Sequence, residues 1–165
     1  MASGTIPGIV YVERFLDQPD RLFRWAVEHV VWDERIRARK TASYGVPYNY
    51  AGLSYAPLPF PPELDAVRAA AGPVIGIDAN NCLLNFYPDG RSRMGFHADD
   101  TSGLIGGVAI VSLGATRRLR FRRSAKLDER LDYVLAPGSL LYLPAEVHLA
   151  WQHALPKPKV RSKRR

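Results

Sequence analysis

An α+β chain built on a double-stranded β-helix (jelly roll), with N-terminal helices packed on one sheet, is the fold class that this sequence predicts. Three observations lead there. Helical spacing is confined to the residues before about Gly72, the remainder breaks into short apolar segments, and Pro, Gly and Asp fill the turns between them. At 165 residues the chain is long enough to bury a core without staples. With no internal repeat and no low-complexity linker, residues 1–165 are expected to form one domain. Its 47% hydrophobic and 24% charged residues are ordinary for a globular protein, and 13 Gly with 13 Pro favour many strands joined by turns.

Taken in order, Ile9-Val10-Tyr11-Val12 reads as a short strand. Asp17 and Pro19 then open a helix whose apolar positions Leu22, Trp25, Ala26 and Val30 keep helical spacing. Strand and helix together make up an N-terminal segment, residues 1–34. Pro61 and Pro62 open a second helix, with Leu64, Val67 and Ala71 inward and Gly72 at its exit. Strands are expected at Cys82–Tyr87, Val108–Leu113, Leu119–Arg122, Asp132–Leu135, Leu140–Leu143 and Val147–Trp151. Pro88-Asp89-Gly90, Gly114 and Pro137-Gly138 supply turns between them. These strands place the jelly roll in residues 80–156.

The charge is concentrated. Arg117–Arg123 holds five arginines and Lys157–Arg165 six more basic residues, with no acid in either segment. The 23 Lys and Arg include those eleven, so the rest of the chain carries 12 basic against 16 acidic residues. Two basic patches on a mildly acidic background suit a polyanion, most simply nucleic acid, although solvated faces would look the same. The single cysteine, Cys82, excludes an internal disulfide and suits a reducing cytoplasm. No apolar run approaches the roughly 20 residues of a membrane helix, and Met1–Thr5 lacks the basic and apolar regions of a signal peptide. A cytoplasmic monomer with no membrane partner is expected.

His97-Ala98-Asp99 is the centre of the chemistry. Residues i and i+2 of a strand share a face, so His97 and Asp99 can converge on one ion. A histidine from a distant strand would complete a two-histidine, one-carboxylate set, which leaves positions open on iron(II) for a chelating cosubstrate and oxygen. Alone, His-x-Asp is weak, since the solvent side of any strand can carry it. Three other histidines are available: His29 in the first helix, His148 and His153.

Context sharpens the pattern. Asn85-Phe86-Tyr87-Pro88-Asp89-Gly90 precedes His97-Ala98-Asp99-Asp100 by six residues. Val111-Ser112-Leu113-Gly114-Ala115, Leu119-Arg120-Phe121-Arg122, Pro137-Gly138-Ser139-Leu140-Leu141 and Trp151-Gln152-His153-Ala154-Leu155-Pro156 follow in order. Upstream stand Arg39–Gly45 and Tyr48-Asn49-Tyr50-Ala51-Gly52. From about residue 35 onward this series resembles the AlkB family of DNA and RNA dealkylases, with its N-x-Y-x-D-G, H-x-D, V-S-x-G and W-x-H-x-L-P motifs. The resemblance implies an iron(II)- and 2-oxoglutarate-dependent dioxygenase whose substrate lid spans residues 35–60. The third ligand then falls on His153, with His148 structural or at the pocket rim and His29 on a helix surface.

The same resemblance assigns Asn85 and Tyr87 to 2-oxoglutarate, as hydrogen-bond donors to its carboxylates. Arginine suits the distal carboxylate because its fork binds bidentately. The family supplies it from a closing strand R-x-N-L-T-F-R, and Arg165 stands where its first arginine falls, twelve residues past His153. The rest of that strand is not in the chain, so a missing C-terminal strand and a loose basic tail, residues 157–165, are expected. Tyr48 and Tyr50 match lid aromatics that stack on a base taken from a single strand or flipped from a duplex. Arg39, Arg120 and Arg122 become candidates for its phosphates, and Asp100 for the base edge. The implied reaction, with O2 as cosubstrate, hydroxylates an N-alkyl carbon, after which formaldehyde leaves; N1-methyladenine and N3-methylcytosine are the favoured lesions. Two alternatives stand beside it: the same chemistry on a protein or lipid, and a truncated nucleic-acid-binding relic without catalysis.

Overall fold

The structure, a computed structural model, describes residues 5–50, 52–89, 92–99 and 106–157, the side chains of Tyr48 and Tyr50 excepted. In chain order the elements begin β1 (Val10–Val12), α1 (Pro19–His29), β2 (Lys40–Gly45), β3 (Tyr48–Tyr50), β4 (Leu53–Tyr55), α2 (Pro62–Ile75) and β5 (Asn81–Phe86). They continue β6 (Met94–His97), β7 (Gly107–Val111), β8 (Arg117–Arg123), β9 (Lys126–Leu135), β10 (Leu140–Pro144), α3 (Ala145–Ala150) and β11 (Trp151–Leu155). Two compact units result, one drawn from Met1–Pro19 with Asp89–Arg165, the other from Asp20–Pro88.

The first unit is a jelly roll of two antiparallel sheets, ordered β1-β10-β7 and β6-β11-β8-β9. Alternation explains its core. Leu119 and Phe121 of β8 point inward between outward arginines, and Leu135 of β9 joins them. Strand β10 is central in its sheet, and Leu140, Leu141 and Leu143 are all fully enclosed, as a continuous apolar run requires. Across the first sheet Gly107 lies opposite Pro144 with φ 131°, and a Cβ there would collide with the Leu143 carbonyl. Only glycine lets the two backbones approach so closely.

In the second unit α1 covers the β2-β5 pair. Ala26 and Val30, two of its predicted apolar positions, bury against Ala42, with Trp25, Trp32, Tyr44 and Leu84 around them. Phe86 packs between Phe23 and Trp32, at ring centroid distances of 6.3 and 5.3 Å. The predicted helix opening at Pro61 and Pro62 is found, Pro61 being the extended N-cap.

Three expectations are corrected. Helix α2 does not exit at Gly72 but runs through Pro73 to Ile75, where left-handed Gly76 caps it and donates to the Gly72 carbonyl. A lone internal glycine costs a helix only about 1 kcal/mol, so Gly76, not Gly72, is the stop. The strand expected at Val147–Trp151 is the short helix α3 followed by β11. The alternation of Val147, Leu149 and Trp151 imitates a strand, yet Val147 and adjacent His148 are both buried while Leu149 is 78% exposed. Finally, β2, β3 and β4 are not among the expected strands, and the strand expected to carry both His97 and Asp99 is β6, which ends at His97 and leaves Asp99 beyond it. The first three are short or polar, and β2 gains its burial only by pairing with β5. Of the basic tail, residues 158–165 lie outside the described residues.

Candidate metal centre

Strand pairing brings the expected ligands together. His97 ends β6, His153 is the middle residue of β11, and the two are direct partners across that antiparallel pair. Cross-strand partners share a face, so their rings lie side by side, with centroids 4.3 Å apart. Asp99, two residues past His97, turns its carboxylate toward both. Its Oδ1 is 3.7 Å from His97 Nε2 and its Oδ2 3.7 Å from His153 Nε2. One ligand atom from each of the three residues falls within 4.8 Å of the others.

The donor set fits a divalent cation. His97 Nδ1 lies 2.9 Å from the Gly95 carbonyl, to which it donates, leaving the Nε2 lone pair free on the side of Asp99. Burial holds the His153 imidazolium down to about 4, against the pull of Asp99, so that ring is neutral near pH 7. Two imidazoles and one carboxylate form a set that suits a divalent cation and would leave positions for other oxygen donors. The floor is apolar: Phe121, fully buried and opposite His153 on β8, lies tilted against His153 and edge-on to Tyr133. Arg117 fastens the strands that carry the donors, its guanidinium reaching the carbonyls of Ser92 and Pro156 at 3.3 and 3.2 Å.

His148 lies on α3, not on a ligand strand, and is 3.7 Å from Asp99 Oδ2 through Nδ1. His29 closes the last turn of α1, exposed, with a ring nitrogen on the Trp25 carbonyl, in keeping with its expected place on a helix surface.

The arginines of β8 differ from their simplest reading. Arg118, Arg120 and Arg122 alternate with Leu119 and Phe121, so they occupy the sheet face opposite the metal donors. Arg120 forks onto Asp132 at 2.7 and 2.9 Å, and Arg118 shares that carboxylate at 2.9 Å. Arg120 holds the Asp132 carboxyl below its usual range. Arg122 donates to Gln152 at 2.8 Å and lies 4.2 Å over the Phe96 ring. The acid absent from the arginine-rich segment is thus supplied by its hairpin partner β9, a pairing that no reading of one strand reveals.

Arg39 differs too. Expected to meet phosphate, it is only 8% exposed, and its Nε donates to Asn85 Oδ1 at 2.6 Å. In this unit β2 and β5 place Thr41 opposite Asn85, and Arg39 just ahead of β2 is drawn inward onto the amide. Tyr87 follows directly after β5. Asp100 and Arg165 lie outside the described residues, as do the side chains of Tyr48 and Tyr50, whose backbones form β3.

Comparison with known proteins agrees with this geometry. The 2OG-Fe(II) oxygenase superfamily matches residues 18–164. A DNA oxidative demethylase ALKBH2 from Bos taurus is 38% identical over 73% of this chain and 48% of its own length. The Rattus norvegicus alpha-ketoglutarate-dependent dioxygenase alkB homolog 3 is 29% identical over 86% of this chain and 55% of its own. The chain thus spans about half the length of the curated relatives it matches. The structure of OsALKBH1 superposes with a TM-score of 0.72 over 94% of this chain and 88% of that one, at 16% identity, and so shares the fold. With strand pairing, donor set and family match in agreement, this chain belongs to the 2OG-Fe(II) oxygenase superfamily as an AlkB-like member, and its cofactors are iron(II) and 2-oxoglutarate.

Proposed function

We propose that this protein oxidatively dealkylates N-alkylated nucleobases in DNA or RNA, with N1-methyladenine and N3-methylcytosine as preferred lesions. The observation that carries the reading is the convergence of His97, Asp99 and His153 in a chain similar to DNA oxidative demethylases. Iron(II) with 2-oxoglutarate and O2 supplies the oxidising power that hydroxylates an N-alkyl carbon.

His97 Nε2, one Asp99 oxygen and His153 Nε2 would hold the metal. Phe121 beneath His153 keeps water from that edge of the site. Asn85 and Tyr87 bind 2-oxoglutarate, and Arg39 is assigned to orienting the Asn85 amide rather than to phosphate. Arg165 is assigned to the distal carboxylate. Tyr48 and Tyr50 stack on the extruded base, and Asp100 reads its edge. Arg120 and Arg122, on the opposite sheet face, are left for the phosphates of a longer strand. The protein acts as a cytoplasmic monomer on single-stranded or flipped-base nucleic acid.

The test is formaldehyde and succinate release with iron(II), 2-oxoglutarate, O2 and a methylated single-stranded oligonucleotide. Both products are expected in equal amounts, and His97→Ala, Asp99→Ala and His153→Ala should each abolish them. Succinate release indifferent to the oligonucleotide but stimulated by a protein or lipid would overturn the substrate assignment.

A further inference from the structure

His148 is not needed for a two-histidine, one-carboxylate set, yet it sits beside it. Its side chain is 2% exposed; the Leu143 backbone lies near the ring, but among the described residues neither ring nitrogen has a partner at full hydrogen-bond geometry. Buried polar atoms are rarely left so, and a native exception calls for a functional or ligand-linked explanation. The nearest charged group is Asp99, with Nδ1 at 3.7 Å from Oδ2. The distance is just beyond a hydrogen bond and closes with a small side-chain adjustment. His148 is not part of the group whose donor atoms all fall within 4.8 Å of one another. It approaches that group from α3, an element that carries none of the other donors.

On the reading that His97, Asp99 and His153 hold the metal, we infer that His148 is a positioning residue: its Nδ1–H donates to Asp99 Oδ2 and leaves Oδ1 to the cation. A carboxylate with both oxygens free can chelate in a two-toothed manner and take a position that the cosubstrate needs. One oxygen engaged by a buried imidazole donor fixes it as a one-toothed ligand. The placement is economical in structural terms. Helix α3 runs directly into β11, so the segment that delivers His153 also delivers the group that orients Asp99. His153 Nε2 and His148 Nδ1 both stand 3.7 Å from the same Oδ2, and their rings are 6.0 Å apart at 72°. Asp99 therefore lies between a ligand ring and a donor ring of different orientation.

The experiment uses the full chain and Mn(II) as probe, with free Mn(II) followed by electron paramagnetic resonance. His148→Leu keeps an apolar side chain of moderate size but removes the donor. His148→Asn places an amide N–H close to the original Nδ1–H. Expected is a roughly 10–100-fold weaker Mn(II) affinity for His148→Leu, with His148→Asn restoring it to within about threefold. Equal loss in both variants, or no loss in either, overturns the inference. A second measurement does not depend on a variant folding. With Zn(II) as a diamagnetic probe, 15N spectra of histidine-labelled protein should show His148 protonated at Nδ1 and metal-free at Nε2. A metallated His148 nitrogen makes it a ligand and overturns the positioning role. His97→Ala and Asp99→Ala serve as references. If they too leave Mn(II) binding intact, the metal-site reading itself fails, whereas their loss alongside an unaffected His148→Leu sinks only the present inference.

Discussion

At the scale of single residues, what decides the chemistry is which side chains are kept neutral. A buried imidazole can offer a lone pair only when it carries no charge, and burial secures this for His153. Cys82 shows the same force acting on a thiol. Set in β5 opposite Tyr44, it is pushed up to about 11 by desolvation. It therefore stays a thiol near neutral pH and offers no thiolate to a soft metal or an oxidant. The sign follows from linkage. A thiol whose folded value lies above its ordinary 9.0 contributes stability that is complete below pH 9 and lost as pH rises toward 11. At pH 8 the folded protein should react with a thiol-specific alkylating reagent on the order of 100-fold more slowly than the urea-unfolded chain, as measured by mass spectrometry. Comparable rates would mean that Cys82 is not shielded.

At the scale of elements, the β8-β9 hairpin has two chemically different faces. Inward, Phe121 packs against His153 and Leu119 is buried; outward, Arg118, Arg120 and Arg122 form a basic row whose charge Asp132 partly cancels. Charge counting along β8 overstates the field that a polyanion would meet. Asp132→Asn should release two guanidinium groups, tighten oligonucleotide binding and steepen its salt dependence by up to roughly one unit per freed arginine. The exposed ion pairs contribute only about 0.5–1 kcal/mol, so the melting temperature should fall little. Fluorescence anisotropy across a salt series checks this, and an unchanged slope would make the row a solvated face without a nucleic-acid role.

At the scale of the molecule, the three donors are 56 positions apart at their extremes, from His97 to His153, and meet only because β6 and β11 pair. Metal and cosubstrate thus bind the folded chain and not the unfolded one. With Mn(II) and 2-oxoglutarate near 100 times their dissociation constants, stability should rise by about 2.7 kcal/mol per site. For a chain of this size that is a gain of roughly 5–10 °C in melting temperature. His97→Ala and His153→Ala should both lose the shift, while His29→Ala should keep it. A shift that survives in His153→Ala would place the second imidazole elsewhere.

Local periodicity and motif order made the helices at Pro19 and Pro62, most strands of the jelly roll and the grouping of His97, Asp99 and His153 legible in the sequence. Such features are encoded within a few neighbouring residues, and the motifs recur in a set order. Three things could not be read that way. The α3 turn at Val147–Ala150 imitates strand alternation and is decided by which side chains the core accepts. Arg39 turns inward because Asn85, far along the chain, offers an acceptor. Asp132 pairs with Arg118 and Arg120 because antiparallel register sets it opposite Arg120. Each depends on a partner distant in sequence or on the packing around it, and only the folded chain selects it.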